Sequence, residues 1–574
     1  MSSELVKMAR ALLRARRPLL GAAAPQLAVL TTYWVVGAIY TFPLVARLFS
    51  AFPGGMDTFG FLWNNWWIYH AVVHLHTKPY FTDYVFAPAQ LDLRFHTFGL
   101  LYGLLSIPFM PLLGSTGVLN SQSLLTTTLN GYAAFRLTDY VAKDAWVAYV
   151  CGLAIAGVPA VNFHLDVGRV SCSALWPAIF ALYFGLRVLA EPSAWGGLLW
   201  GASVAASLLA DQQIAIFCAG WLLVLGVDSI VRRPRDLLSG RFLRSAAIAV
   251  IVAGPFAYLL CIRPLAHGAG YTVPGAIEAQ NYSVPLWAFA PVWVWRAYGS
   301  VLPVGLIAGL AMLRRMSSLW PWVLGSIAFL VLTTGPVLQV GTHGLPMPFA
   351  WLRKLPGLSQ FRTPYRFQMP AALGLAVTFA IVLSTALGRV QFRVRRAVLA
   401  GCALVVAGDL VARRIVTGFS TQSMAREPLY EQIRSDPTDC LVLEIPLGVR
   451  TGTDRIGPGE LFSYYQPIHR KRMINAMIAR VPVDALRYYR ESHSLMFLTG
   501  EEPPDGDIAT DLRRRLEELD VGYVVVHPAM LEPIRLRQIL GLLTAVDGLV
   551  PMPSDDGVLA FRRTSTAAER HRRD

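Results

Sequence analysis

Long apolar runs, separated by short polar or basic stretches, recur along the chain from Ala24 to Val411. A helix that crosses a bilayer needs ~20 mostly apolar residues. By that measure the pattern predicts about eleven spans. The first is Pro25–Leu48. The others fall near 118–137, 145–161, 173–190, 195–210, 214–230, 243–262, 300–314, 319–337, 367–387 and 396–414. A further apolar piece, Phe98–Leu113, carries Pro108 and Pro111 and suits a broken, re-entrant or interfacial segment. Past Gly418 the pattern changes to short strand-like runs, Cys440–Ile445, Val521–Val526 and Val558–Phe561, with helical stretches between them. The expected fold is an all-α polytopic membrane domain over 1–417, an α/β domain over 418–566 and a disordered tail over 567–574.

Charge sets the expected orientation. Basic clusters flank the spans: Arg10 to Arg17, Arg232 to Arg235, Arg314 with Arg315, and Arg389 to Arg396. Under the positive-inside rule these lie in the cytoplasm. If Phe98–Leu113 does not span, every later cluster satisfies the rule. The N-terminus is then cytoplasmic, and the α/β domain lies outside, in a multi-pass protein of a plasma (inner) membrane. The net charge of +15 follows from these clusters and needs no nucleic acid. Only 15% of residues are charged and 54% are apolar, against ~25% charged in an average soluble protein. The six cysteines lack metal-ligand spacing and read as core residues. The basic, then apolar, N-terminus resembles a signal peptide, but its run is longer and lacks a convincing cleavage site, so an uncleaved first helix is expected.

The candidate chemistry collects on the external face. Asp57 follows the first span in Pro53-Gly54-Gly55-Met56-Asp57-Thr58. From Phe59 to His70, apolar and aromatic residues recur at one-face helical spacing. Such a helix fits the lipid interface, with its tryptophans at headgroup depth. The same loop holds His70, His74, His76, Asp83, Asp92 and His96. His70 and His74 have the spacing of a metal pair but no H-E-x-x-H signature. Asp166, in the stretch containing His164 and Arg169, is a second acid near hydrocarbon and needs a partner. Arg169, a divalent cation or a substrate could serve. Arg353, Lys354, Arg362 and Arg366 stand outside against the charge rule, and arginine forks suit phosphate oxygens. Arg263 opens the external loop 263–299. In the α/β domain, Tyr464, Tyr465, Gln466 and His469 lead to Asn475 and Arg480. That set could hold a sugar or be ordinary domain surface. No nucleotide-binding loop, serine elbow or Cys/His cluster is present.

A carboxylate after the first span, interfacial helices, and a further external acid after the third span are together similar to the GT-C class of membrane glycosyltransferases. Gly55-Met56-Asp57-Thr58, Gly335-Pro336-Val337-Leu338, Leu355-Pro356-Gly357, Phe361 to Phe367 and Tyr464 to His469 resemble a bacterial group of that class, the YfhO-like membrane proteins. The resemblance implies a polyprenyl-phosphate sugar donor and an envelope glycan, lipid or protein acceptor. Asp57 is then the general base, with Asp166 a second catalytic acid or, with Asp57, a ligand of magnesium or manganese. Arg362, Arg366, Arg353, Lys354 and Arg263 take the donor phosphate. His164, Arg169, Tyr465, Gln466 and His469 serve the acceptor or sugar. Met56 and Thr58 replace the adjacent acid of metal-dependent members. A flippase for lipid-linked precursors and a non-catalytic scaffold with a glycan-binding domain are the alternatives.

Overall fold

The computed structural model describes residues 24–264, 271, 275–340, 343–425, 427–500, 506–553 and 557–564. The expected basic cluster at Arg10 to Arg17 and the tail from 567 lie outside these residues. Every stretch expected to span contains helix, beginning with residues 24–40 (α1). Fewer pass as membrane-crossing than the eleven expected. Among the described residues four helices are long and apolar enough: Ser171–Ala190, Gln212–Arg232, Gly240–Ile262 and Pro364–Leu387. Counting each of two bent pairs as one span raises this to six.

The shortfall has physical causes. Ala194–Ala210 and Ser317–Thr333 are apolar but short. Phe392–Thr417 carries six charged residues, among them Arg395, Asp409, Arg413 and Arg414. Met110–Ala142 is broken at Gly114, whose φ of 63° is non-helical, and it buries polar residues such as Asn120, Gln122, Thr126 and Asn130 against protein. In the Ala145–Gly157 and Pro159–Val167 pair, extended Val158 precedes Pro159 and the axis turns by 51°. A proline here cannot continue the ladder of the preceding helix. Leu100–Ser106, within the ambiguous apolar piece, has seven residues, too few to cross.

The C-terminal part is built on a five-stranded mixed sheet. Its strands are β1 (Leu441–Ile445), β2 (Arg472–Met473), β3 (Val521–Val526), β4 (Leu549–Met552) and β5 (Leu559–Arg563), in spatial order β2-β1-β3-β5-β4. β1 pairs in parallel with β2 and β3, and β5 runs antiparallel to β3 and β4. Helices Val483–Arg490, His493–Leu498 and Ile508–Glu518 lie on the chain between β2 and β3. All residues of β1 and β3 are buried, as expected for parallel strands covered on both faces.

The helix from Asp57 to Tyr69 (α2) corrects the interfacial expectation. Trp63, Trp66 and Trp67 share one hydrophobic core with β1, β3 and Tyr465. Trp63 and Trp67 stack at 5.9 Å. The opposite face is also buried. Asn64 Nδ2 donates to the Thr97 carbonyl at 3.1 Å, and Asn65 exchanges 3.0 Å bonds with Gln122. The aromatic stripe therefore packs against protein and does not form a lipid belt.

Candidate functional site

Three constraints position Asp57. Phe52–Pro53 pairs antiparallel with Thr421–Gln422, and Gly54 N donates to the Ser420 carbonyl at 2.8 Å. Gln422 Nε2 donates to the carbonyls of Pro53 and Gly55 at 3.1 Å. Gly55 packs against Val167, where an added Cβ would meet the valine side chain at 3.0 Å. The chain then enters α2 with Asp57 in its first turn, where a carboxylate is favoured by the helix dipole.

Asp57 pairs with Arg169. The Arg169 Nε donates to Oδ2 at 2.6 Å, and Nη2 reaches the same oxygen. Oδ1 has no hydrogen bond among the described residues. Arg169 lies within electrostatic range of Arg366, and Asp57 within that of His96. Both Arg366 and His96 line a cavity of about 250 Å³ between the loop that follows the first helix, the 356–366 segment and the C-terminal part.

This cavity is cationic. Arg94, Arg362, Arg366 and Arg480 line it, with Asp211 as its acid. Arg94 is paired with Asp92, and Arg362 with Glu278 at 2.5 Å. Arg366 is buried and donates to Gln213 Oε1 at 2.5 Å and to Cys172 Sγ at 3.7 Å, while its Nε lacks a partner. Arg480 donates to Gln360 Oε1 at 3.2 Å. Among the described residues neither Arg366 nor Arg480 pairs with a carboxylate. Burial, and then the charge of Arg362, push Arg480 down to about 10. An anion between these guanidinium groups would relieve both effects.

His96 ties the cavity to the C-terminal part. Its Nδ1 accepts from Ala479 N at 2.9 Å, so Nε2 carries the proton and donates to Asn64 Oδ1 at 3.1 Å. Burial, with the nearby Arg480, lowers its pKa to about 3.

The other expected residues separate. Asp166 does not join Asp57 or pair with Arg169. It binds Arg414 at 2.7 Å and lines a different cavity. Each acid thus has its own guanidinium, and no group of three or more His, Cys, Asp or Glu side chains able to hold a metal occurs among the described residues. This donor set does not fit a magnesium or manganese ion shared by Asp57 and Asp166. His70 is buried beside Tyr84 and also lacks a metal cluster. His164 is fully buried against Phe163 and Tyr365 and lines neither cavity. Arg353, Lys354 and Arg263 also lie outside the cationic cavity. Arg353 donates to the Ser359 carbonyl at 3.3 Å, while Lys354 and Arg263 are exposed.

Tyr465, Gln466 and His469 are interior residues of the C-terminal part, which removes the sugar-stacking surface expected from them. Tyr465 stacks on Tyr430 at 4.2 Å. Gln466 donates to the carbonyls of Tyr84 and Lys471 and accepts from Trp63. His469 Nδ1 accepts from Lys471 N at 3.0 Å. Conversely, Arg480 gains importance only through tertiary packing. Arg413 and Arg414 gave a readable signal: two adjacent cations at the external end of an expected span.

No protein-family model and no curated protein matches the chain. Solved structures do. The arabinofuranosyltransferase AftD from Mycobacteria superposes with a TM-score of 0.57 at 14% identity, over 94% of this chain. The chain spans only 40% of that protein's length. ArnT from Cupriavidus metallidurans, solved bound to undecaprenyl phosphate, gives a TM-score of 0.51 at 14% identity over 94% of this chain and 98% of its own. An Archaeoglobus fulgidus oligosaccharyltransferase tethered to an acceptor peptide gives 0.50 at 12% identity, over 87% of this chain and 68% of its own. These neighbours are membrane glycosyltransferases of the GT-C type, and the chain is similar to them in fold. At these identities the likeness is one of fold.

Proposed function

We propose that this chain is a membrane glycosyltransferase that moves a sugar from a polyprenyl-phosphate donor to an acceptor hydroxyl at the external membrane surface. The observation that carries this reading is the single-sided Asp57–Arg169 pair beside a cationic cavity. Arg169 binds one carboxylate oxygen and leaves Oδ1 unbonded among the described residues, while Arg366 and Arg480 in the adjoining cavity lack carboxylate partners there. The fold, shared with enzymes whose structures carry undecaprenyl phosphate or an acceptor peptide, supports it at the level of class.

In this mechanism Asp57 Oδ1 takes the proton of the acceptor hydroxyl. Arg169 stabilises the ionised carboxylate and aims it. The acceptor oxygen forms a bond to the anomeric carbon, and the anomeric carbon–phosphate oxygen bond breaks with its electron pair leaving on the phosphate. Attack opposite the leaving group inverts the anomeric centre. Arg366 and Arg480, with Arg362 at the rim, offset the charge that develops on the phosphate, an interaction worth a few kcal/mol. No step is assigned to a metal. The N-terminus is cytoplasmic and the sheet domain extracytoplasmic, in an inner membrane, so an envelope glycan, lipid or protein is the acceptor.

The test is to reconstitute the purified protein in lipid, supply a panel of polyprenyl-phosphate sugars, and measure sugar release and transfer for wild type and Asp57→Asn. Turnover of one donor that is lost in the folded mutant supports the assignment. Equal turnover by the two proteins removes Asp57 as the base. Inactivity with every donor, together with an absence of polyprenyl-phosphate binding, would remove the donor class.

A further inference from the structure

Gly452 stands in the turn between the antiparallel strands Val449–Arg450 and Arg455–Ile456. Hydrogen bonds fix this turn. Thr451 N donates to the Asp454 carbonyl at 2.7 Å, Thr451 Oγ1 accepts from Asp454 N at 2.8 Å, and Asp454 pairs with Arg490. Gly452 N in turn donates to the Ala479 carbonyl at 2.9 Å. Main-chain bonds therefore hold the Gly452 Cα beside the Ala479–Arg480 segment.

Two cations of the 250 Å³ cavity meet at that atom. A Cβ added to Gly452 would lie 2.3 Å from Arg480 Nη1, 3.0 Å from Arg362 Nη2 and 2.9 Å from the Ala479 carbonyl oxygen. Both arginines line the cavity, and Gly452 does not. No backbone requirement calls for glycine here, since its φ is not in the left-handed region. The missing side chain instead leaves the space that the Arg480 guanidinium fills. From there Arg480 Nη1 donates to the Ala479 carbonyl at 2.7 Å, and Nε donates to Gln360 Oε1 at 3.2 Å. Arg362 gives Nη1 to Glu278 and leaves Nη2 beside Gly452. Like charges brought this close repel, so their spacing depends on such anchors.

We propose that Gly452 is a positioning residue for the Arg362–Arg480 pair. Its bare Cα sets where the Arg480 guanidinium stands in the cavity, and so how tightly the pair holds an anion. That this anion is the donor phosphate rests on the function proposed above; the hold of Gly452 on Arg480 does not.

The test is a double-mutant cycle on the full-length protein in detergent, read by titration with a polyprenyl phosphate lacking sugar. Gly452→Ala and Arg480→Gln should each raise Kd about tenfold. Together they should raise it little more than Arg480→Gln alone, because the shorter glutamine leaves no guanidinium for the new methyl group to displace. An unchanged Kd for Gly452→Ala, or effects that multiply in the double variant, overturns the inference. Should Gly452→Ala misfold, adding Arg480→Gln should restore the fold, and a double variant that stays unfolded overturns it as well. Reaction of Arg480 with phenylglyoxal, read by mass spectrometry, needs no donor. Gly452→Ala should speed it, and an equal rate in the two proteins overturns the hold of Gly452 on Arg480. A wild type that binds no polyprenyl phosphate removes the donor reading, and a faster Arg480 reaction in Gly452→Ala then leaves the positioning role standing.

Discussion

The indole N–H of Trp63, two turns into the helix that begins at Asp57, donates to Gln466 Oε1 at 2.5 Å. Both side chains are buried, and Gln466 also holds the carbonyls of Tyr84 and Lys471. This amide is one of the links between the loop that carries α2 and the C-terminal part. Gln466→Ala strands a buried indole N–H and two carbonyls and is expected to cost ~1–3 kcal/mol. Thermal unfolding of the purified protein should show a lower midpoint. Turnover by the molecules still folded should fall as well, because α2 carries Asp57.

Asp57→Asn keeps the shape of the side chain and removes its basicity. A loss of kcat of about 10²- to 10⁴-fold, the usual span for a general base, is expected with the donor KM nearly unchanged. Arg169→Gln should act in the same direction and less strongly, since it loosens the carboxylate without removing it. Single-turnover kinetics in lipid would separate this pattern from a binding defect. A large rise in donor KM for Asp57→Asn would contradict the role.

The cationic cavity predicts the opposite pattern. Arg480→Gln and Arg366→Gln should each raise donor KM or Kd about tenfold or more, as expected for loss of a charge-assisted bond to phosphate. Lys354→Gln, outside the cavity and exposed, should change it little. Titration with a polyprenyl phosphate lacking sugar checks all three variants without requiring catalysis.

Much of the helical architecture was legible because a bilayer imposes its length on apolar runs. Each expected span, from Pro25–Leu48 to 396–414, contains helix. Fewer runs are long and apolar enough to cross a membrane where charge or brevity weakens them, as in Phe392–Thr417 and Ala194–Ala210. The first loop misled for a different reason. A stripe of Trp63, Trp66 and Trp67 at helical spacing looks alike whether it meets lipid or a protein core, and only packing onto β1 and β3 decides. The same ambiguity hid the role of Gln466 and His469, whose polar groups serve the interior. Among the site residues, Asp57, Arg362 and Arg366 were visible as charges in uncharged or wrongly signed surroundings. The pairing was not. Neighbouring Asp166 and Arg169 choose partners far along the chain, Arg414 and Asp57.

His96 makes the junction between α2 and the Ala479–Arg480 segment sensitive to acid. Its folded pKa of about 3 lies below the ordinary 6.5, because burial first, and then Arg480, disfavour the cation. The unfolded chain therefore binds this proton more readily than the folded one. The histidine's contribution to stability is complete above about pH 6.5 and declines as pH falls from there towards 3. Protonation would place a donor on Nδ1 opposite the Ala479 N–H that it now accepts. His96→Gln cannot take up the proton, so its stability should change less than that of wild type between pH 6.5 and 4, while its starting stability is lower because Ala479 N or Asn64 loses its fitted partner. Thermal melts of both proteins in one detergent across that interval would test it. Parallel slopes for the two would mean that the acid sensitivity of this junction resides in other groups.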